Sequence, residues 1–412
     1  MNILFLSNFF PPVSRGGYEQ WCWEVAEGLR NRGHEVCVLT STYGQHSMFT
    51  SDPPWVSREL QLEMEFAHLS NSIQFFTSRK KREEQNLACL REFLCHHEPD
   101  AILIWGMWNL PRSLPALAES LMPGKVVYYI GDYWPFLPSQ YENYWNAPAR
   151  SFMTGVPKSI LKQIARFLLD RQTRHELKFE NVLFPSDFLR QEFERKGFKM
   201  QHAELVYGAI NTSPYLEQRK SARQAGKVSI LCVGRVVPDK GFHTAIQALA
   251  YLSQNQILEN VHLTIVGDGE PNYVERLKQI AKLHNLASLI TFLPAQPKEA
   301  MPALYRSADI FVFPSIWAEP FGRVLVEAMA SGVPVVGTRV GGAAEILMDG
   351  ENALVFTPDD PMSLAEQLKR LIELPSLCER LGRAGRETAV ERFDLKRMTT
   401  EIESYLQALV GR

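Results

Sequence analysis

The sequence predicts an α/β chain of two doubly wound parallel-sheet domains, and three observations carry that prediction. At 412 residues with 45% apolar content, the chain exceeds the comfortable size of a single core and is too apolar to be disordered. Short apolar runs (NILFLS, HEVCVLT, AILIW, VVYYI, VSILCV, IFVF, VPVV) alternate with helical stretches and are bounded by turn residues. The stretch 313–336, FPSIWAEPFGRVLVEAMASGVPVV, reads strand, turn, helix, strand, which places a helix N-terminus at the carboxyl edge of a parallel sheet.

Composition excludes several classes. A net charge of −2 gives the whole chain no bias toward nucleic acid or an anionic surface. Cys22, Cys37, Cys89, Cys95, Cys232 and Cys378 form no CxxC pair, which fits free thiols in a reducing cytoplasm. Cys89 and His96 share a helical face, but no second ligand cluster follows, so no metal is expected. MNILFLSNFF lacks a basic leader, and AILIWGMW falls far short of the roughly 20 residues that span a bilayer. The expected location is cytoplasmic, with any membrane contact peripheral on the inner face.

Asn2 to Ser7 is the first strand, and FFPPVSRGGYEQ leads to a helix ending near Arg32 with Gly33 at its C-cap. Gly16 and Gly17 open that helix. Paired glycines after a strand bring backbone N–H groups close to a ligand, and a plain turn accounts for them equally well. His34 to Thr40 is the second strand; 43–84 is polar and irregular, with RKKREE a solvated helix or loop. After the strand VVYYI comes GDYWPFLPSQYENYWN, where Asp132 stands at a strand's carboxyl end, able to orient a hydroxyl or to cap a turn. Trp105, Trp108, Trp134, Phe136, Tyr141, Tyr144 and Trp145 concentrate rings that stack on sugar C–H surfaces, although part of them must be core. Residues 150–178 carry seven Lys/Arg (Arg150, Lys158, Lys162, Arg166, Arg171, Arg174, Lys178) against Asp170 and Glu176. Ile160, Ile164, Phe167 and Leu168 share one face there, so the segment is either an ordinary surface helix or one that lies on an anionic bilayer.

A strand near 204–207 and a connection (GAINTSPYLEQRKSARQAGK) lead to the second domain, which starts with VSILCVGRVVPDKGFHTAI. Arg235 and Lys240 bracket its first loop, where two cations can neutralise a diphosphate as charge develops, or simply face water. Lys240 precedes Gly241 with no Ser or Thr in order, so this is no P-loop, and GDG after VHLTIV lacks the third glycine of a dinucleotide fingerprint. In the 313–336 stretch, Pro320 sits at a first-turn position and Phe321 to Ala330 are predicted helical, ended by Gly332 and Pro334. Glu319 stands at the entrance with Glu327 eight residues on, roughly 12 Å at about 1.5 Å per residue. That spacing suits a ligand with hydroxyls at both ends, although two such glutamates can merely complement the helix dipole. Gly341 and Gly342 are expected to shape packing. The final helix is expected to bury Phe393, Leu395, Ile402 and Leu406.

The glutamate, seven residues, glutamate pattern of Glu319 and Glu327 resembles the signature of retaining glycosyltransferases of family four. The loop PPVSRGGYEQ, the Arg235 to Gly241 loop, the GDG turn and the terminal helix occur in that family's order. The resemblance implies the GT-B fold: two facing doubly wound Rossmann-like domains, with a C-terminal helix crossing back to the first. The implied boundaries are 1–207 plus the helix 393–412 on the acceptor side and 208–392 on the nucleotide-sugar side. It implies that Glu319 contacts the transferred sugar and Glu327 the donor ribose. Arg235 and Lys240 hold the diphosphate, Gly16 and Gly17 reach toward it, and backbone groups near Leu293 read the base. Phe321, Gly322 and Arg323 complete the donor site. Two departures stand out: the family commonly has a histidine before Asp-Tyr-Trp-Pro, where this chain has Gly131, and Gly208 to Asn211 replaces the usual linker motif.

The function expected from the resemblance is transfer of a hexose from a nucleotide diphosphate sugar, a UDP-sugar first, to a carbohydrate or lipid-linked acceptor hydroxyl, in polysaccharide or glycolipid assembly. Catalysis is expected from Glu319, Asp132, Arg235 and Lys240, with no cofactor, no metal and no nucleic-acid partner, and with a membrane contact through 158–178. The alternatives are a nucleotide-sugar-binding protein without catalysis and a nucleotide-sugar 2-epimerase on the same fold. A dehydrogenase is disfavoured because no strand is followed by GxGxxG.

Overall fold

The computed structural model describes residues 1–13, 16–44, 52–65, 71–148, 152–170, 175–217, 228–254 and 261–411. The chain divides into two compact units, one of residues 1–184, 193–206 and 399–412, the other of 185–192 and 207–398.

The first unit is built on seven parallel strands: β1 (Asn2–Leu6), β2 (Glu35–Ser41), β3 (Val56–Leu60), β4 (Ala101–Ile104), β5 (Val126–Tyr129), β6 (Asn181–Phe184) and β7 (His202–Leu205), in the order β3-β2-β1-β4-β5-β6-β7. AILI and VVYY are buried along their whole length, as strands covered on both faces require. The helices are α1 (Gly17–Arg30), α2 (Asn71–Thr77), α3 (Arg79–His97), α4 (Ser113–Leu121), α5 (Gln140–Asn146) and α6 (Phe152–Asp170). Trp21, Cys22, Val25, Ala26 and Leu29 form the buried stripe of α1. The run RKKREE opens α3.

The second unit carries β8 (Val228–Val233), β9 (Val261–Val266), β10 (Ile290–Leu293), β11 (Ile310–Phe313), β12 (Val335–Gly337) and β13 (Leu354–Val355), all parallel, in the order β10-β9-β8-β11-β12-β13. Its helices continue the series: α7 (Asp187–Arg195, which straddles the division), α8 (Phe242–Gln254), α9 (Pro271–Leu283), α10 (Met301–Ser307), α11 (Arg323–Ala330), α12 (Ala343–Ile346), α13 (Pro361–Glu373) and α14 (Pro375–Arg392). Ile230, Leu263, Ile265, Leu249, Leu277 and Leu368 centre its core, each contributing about 1.5–3 kcal/mol by leaving water.

The last helix, α15 (Leu395–Val410), buries Ile402 and Leu406, with Phe393 buried just before it; Leu395 is only partly covered. From Thr399 onward it belongs to the first unit, through Glu403 with Arg32 and His34, and through Tyr405 with Asn181.

Each sheet reverses its winding once, between β1 and β4 and between β8 and β11. Those reversals open crevices at the strands' carboxyl ends, where open α/β sheets hold ligands.

Candidate functional site

In the second unit, the loops after β8 and β11 meet at the reversal. Asp239 O accepts from Ile316 N at 3.0 Å and from Trp317 N at 3.2 Å. Gly241, at φ +65, lies so close to Pro314 that a Cβ would stand 2.0 Å from its carbonyl oxygen, so this crossing needs glycine. The crossing brings together residues that the sequence offered in separate motifs. Lys240 Nζ lies 2.6 Å from Glu319 Oε1, with both side chains mostly buried. The contact is ionic and lies outside hydrogen-bond geometry, which leaves Oε1 with acceptor capacity. Arg235 is exposed and has no carboxylate partner among the described residues.

Helix α11 starts two residues later than its sequence predicts. Gly322 precedes it at φ 118, a backbone state that side chains resist, so Pro320 and Phe321 remain in the loop and the helix begins at Arg323. The estimate of roughly 12 Å between the glutamates assumed continuous helix and does not apply, because Glu319 lies outside it. Phe321 is a buried packing residue against Phe393, with ring centroids 5.5 Å apart. Glu319 is held from behind: Gly342 N donates to Glu319 O at 2.7 Å, and a Cβ on Gly341 or Gly342 would approach Glu319 O or Pro320 O to 2.3 or 2.4 Å. These glycines do shape packing, and what they shape is the bed of the first glutamate.

Glu327 is fixed on both oxygens. Arg323 Nε, one turn earlier, donates to Oε1 at 3.2 Å, and Tyr305 O–H donates to Oε2 at 2.9 Å. Nothing in the sequence pattern marks Tyr305. Leu293 ends β10, and its carbonyl accepts from Gly267 N at 3.0 Å.

In the first unit, the β1/β4 reversal gathers Asn8, Tyr18, Gly106, Gly131 and Asp132. Gly16 N donates to Glu19 Oε2 at 3.1 Å, and Gly17 opens α1. Gly16 is extended and a Cβ there would meet nothing, so its own fold does not demand glycine. Asp132 accepts from Trp134 N at 3.0 Å, the capping reading of that residue. Burial, reinforced by Glu19 and opposed by that hydrogen bond, pushes its carboxyl up to about 7. Tyr18 lies across Gly106 and Gly131 and donates its O–H to Tyr129 O; burial, then Asp132, holds its phenol well above the usual range. Asn8 is 1% exposed, and its side-chain amide has no hydrogen-bond partner among the described residues.

Of the seven rings expected to face sugar, Trp105, Trp134, Tyr141 and Trp145 are core, while Trp108, Phe136 and Tyr144 are partly exposed. Along α6 the apolar stripe is turned outward: Ile160 is 61%, Ile164 48%, Phe167 53% and Leu168 36% exposed, while Leu161, Ala165 and Leu169 pack inward. Arg150, Arg171 and Arg174 lie outside the described residues, as do 218–227 of the connection and Ser14 and Arg15 of the first loop. Among the described residues no helix is long and apolar enough to cross a membrane, and no group of three or more His, Cys, Asp or Glu is placed to hold a metal ion.

Comparison with known proteins gives matching family models on both halves: Glycosyltransferase Family 4 over residues 15–214 and Glycosyl transferases group 1 over 216–388. Spore coat protein SA of Bacillus subtilis is 30% identical over 46% of this chain and 51% of its own length. The lipopolysaccharide core biosynthesis glycosyltransferase LpsE of Rhizobium meliloti is 34% identical over 44% of this chain and 50% of its own. The matches thus span about half the length of these curated relatives. Among solved structures, sucrose-phosphate synthase from Thermosynechococcus elongatus superposes over 100% of this chain and 99% of its own, with TM-score 0.74 and 19% identity. Anabaena Alr3699/HepE in complex with UDP and glucose superposes over 99% and 100%, with TM-score 0.68 and 22% identity.

Proposed function

The chain belongs to the glycosyltransferases of group 1 and family 4 and has their GT-B fold, and on that premise we propose that it transfers a hexose from a nucleotide diphosphate sugar to an acceptor hydroxyl with retention of configuration. The observation that carries the reading is the 2.6 Å approach of Lys240 to Glu319, which joins the cation of one motif to the carboxylate of another at the β8/β11 reversal.

In this reading residues 208–392 hold the donor, and residues 1–207 with 393–412 serve the acceptor. Glu319 contacts the transferred sugar, and Glu327 accepts from the ribose hydroxyls. Arg235 and Lys240 neutralise the diphosphate while the bond from sugar C1 to the phosphate oxygen breaks. The acceptor oxygen bonds C1 on the same face, and its proton passes to the departing phosphate oxygen, so neither a covalent nucleophile nor a metal is required. Gly16 and Gly17 reach toward the diphosphate, Leu293 lies under the base, and Phe321, Gly322 and Arg323 hold the donor loop in shape. Asp132 orients the acceptor hydroxyl from its own crevice.

A UDP-sugar is the first donor to test, since the Anabaena structure is a complex with UDP and glucose. A GDP-sugar is the second, since one matching relative is a GDP-mannose-dependent mannosyltransferase of phosphatidylinositol monomannoside. That relative and LpsE also favour a polysaccharide or lipid-linked acceptor. The outward stripe of α6, on a helix that also carries Lys158, Lys162 and Arg166, fits a lipid surface. A binding protein without catalysis is the second reading, favoured by Gly131 standing where the family has histidine.

The test is a thermal-shift and calorimetry panel of UDP, GDP, ADP and their sugars, with and without Mg²⁺, on wild type and Glu327→Ala. A donor-site ligand raises stability with its occupancy. One nucleotide should stabilise the protein without metal and lose that effect in the variant; silence from all three rejects the donor site. Transfer by wild type but not by Glu319→Ala then separates enzyme from binding protein.

A further inference from the structure

We propose that Tyr305 is a positioning residue that presents the Glu327 carboxylate to the donor's vicinal ribose hydroxyls, an inference that rests on the donor-site reading above. Tyr305 is fully buried in α10, its ring edge-on to Phe311 of β11 at 5.5 Å and 6.1 Å from the ring of Tyr215. These neighbours fix the ring, and with it the point from which the phenol donates to Glu327 Oε2.

A glutamate on a helix flank has three rotatable bonds and would otherwise spread its carboxylate over several positions. Here Arg323 takes one oxygen and Tyr305 the other, from different elements, so the carboxylate plane is determined. A carboxylate oxygen can accept more than one hydrogen bond, and two such oxygens side by side match two adjacent hydroxyls. Burial, and next the Glu327 charge, keep the Tyr305 phenol well above its usual range, so it remains a donor throughout the working pH range. Arg323 supplies charge and Tyr305 supplies direction.

Tyr305→Phe removes one oxygen atom and keeps the ring. The probes are UDP, GDP and ADP, each beside its 2′,3′-dideoxy counterpart, with affinities read by calorimetry. Wild type should prefer the ribose form of its nucleotide by about tenfold or more, as a site built to pair hydroxyls does. Tyr305→Phe should lose about fivefold or more for the ribose form while the dideoxy affinity stays unchanged, the scale of one charge-assisted hydrogen bond. In transfer assays the donor KM should rise more than kcat falls. In a Glu327→Gln background the tyrosine change should have little further effect, because the two act through one contact.

Equal losses for ribose and dideoxy forms would reduce Tyr305 to a packing residue, and an unchanged ribose preference would remove it from the site. Wild type that does not distinguish the two forms overturns the ribose role of Glu327 itself, and this inference with it. Unchanged thermal unfolding of Tyr305→Phe is the check that the fold is intact.

Discussion

The ring of Tyr18 occupies the space that a side chain on Gly131 would fill: a Cβ there would lie 2.5 Å from Tyr18 Cε2. Gly131→His, which restores the residue common in the family, should therefore destabilise the protein by about 1–3 kcal/mol through overpacking. Thermal unfolding reads the loss. Tyr18→Ala in the same chain should return part of it, and additive losses would show that the two positions do not compete.

The raised carboxyl of Asp132 makes a signed prediction. Its folded value of about 7 exceeds the ordinary aspartate value of 3.8, so the native state holds the proton that the unfolded chain releases first. The associated stability is fully present below about pH 4 and is lost as pH rises through about 7. Wild type should therefore weaken relative to Asp132→Asn across that window in pH-dependent denaturant titrations. If the ionised form orients the acceptor, kcat/KM rises through the same window, and the limb disappears in the asparagine variant. A parallel stability slope in both proteins would contradict the assignment.

Arg235→Ala or Lys240→Ala should each lower turnover by about a hundredfold through lost stabilisation of the leaving group. The two differ in one respect: Lys240→Ala also strips Glu319 of its ion pair, whereas Arg235 has no carboxylate partner among the described residues. Steady-state kinetics with the donor that the nucleotide panel selects decides the matter, and full activity in both variants would remove them from the site.

Gly341→Ala probes the bed of Glu319. The residue has φ +60, and its Cβ would press on Glu319 O, so about 1–3 kcal/mol of stability should be lost as the loop moves. Transfer should fall more than nucleotide binding, because Glu319 is displaced and Glu327 is not. The ratio of kcat to calorimetric affinity measures this.

The outward stripe of α6 predicts binding to vesicles containing anionic lipid and not to neutral ones. Sedimentation should show the difference, reduced by salt and by Ile164→Glu with Phe167→Glu. Equal binding to both vesicle types would exclude the electrostatic part.

Much of this architecture was legible in the chain. Runs such as AILI, VVYY and IFVF announce buried parallel strands because each is a short unbroken apolar stretch, rich in β-branched or aromatic residues and bounded by turn signals. The two glutamates and the Arg235 to Gly241 loop were visible as motifs. The direct contact of Lys240 with Glu319 was not, since it depends on the winding reversal between β8 and β11. No pattern marks Tyr305 or Tyr18, and none ties the packing role of Gly341 to Glu319, because each acts through a contact made across the fold that no local periodicity encodes. The start of α11 was misplaced for a different reason: proline at a first turn is a sound signal, and the positive φ of Gly322 overrides it. Ring content likewise could not separate core tryptophans such as Trp105 and Trp145 from exposed ones.

Residues 399–412 come after the whole second unit in the chain and yet complete the first, where Glu403 meets Arg32 and His34 and Tyr405 meets Asn181. Synthesis on the ribosome therefore delivers every residue of the second unit before the first can close its last contacts. The domain translated earliest is the one that must wait. During that interval the surface that Ile402 and Leu406 will cover stays open.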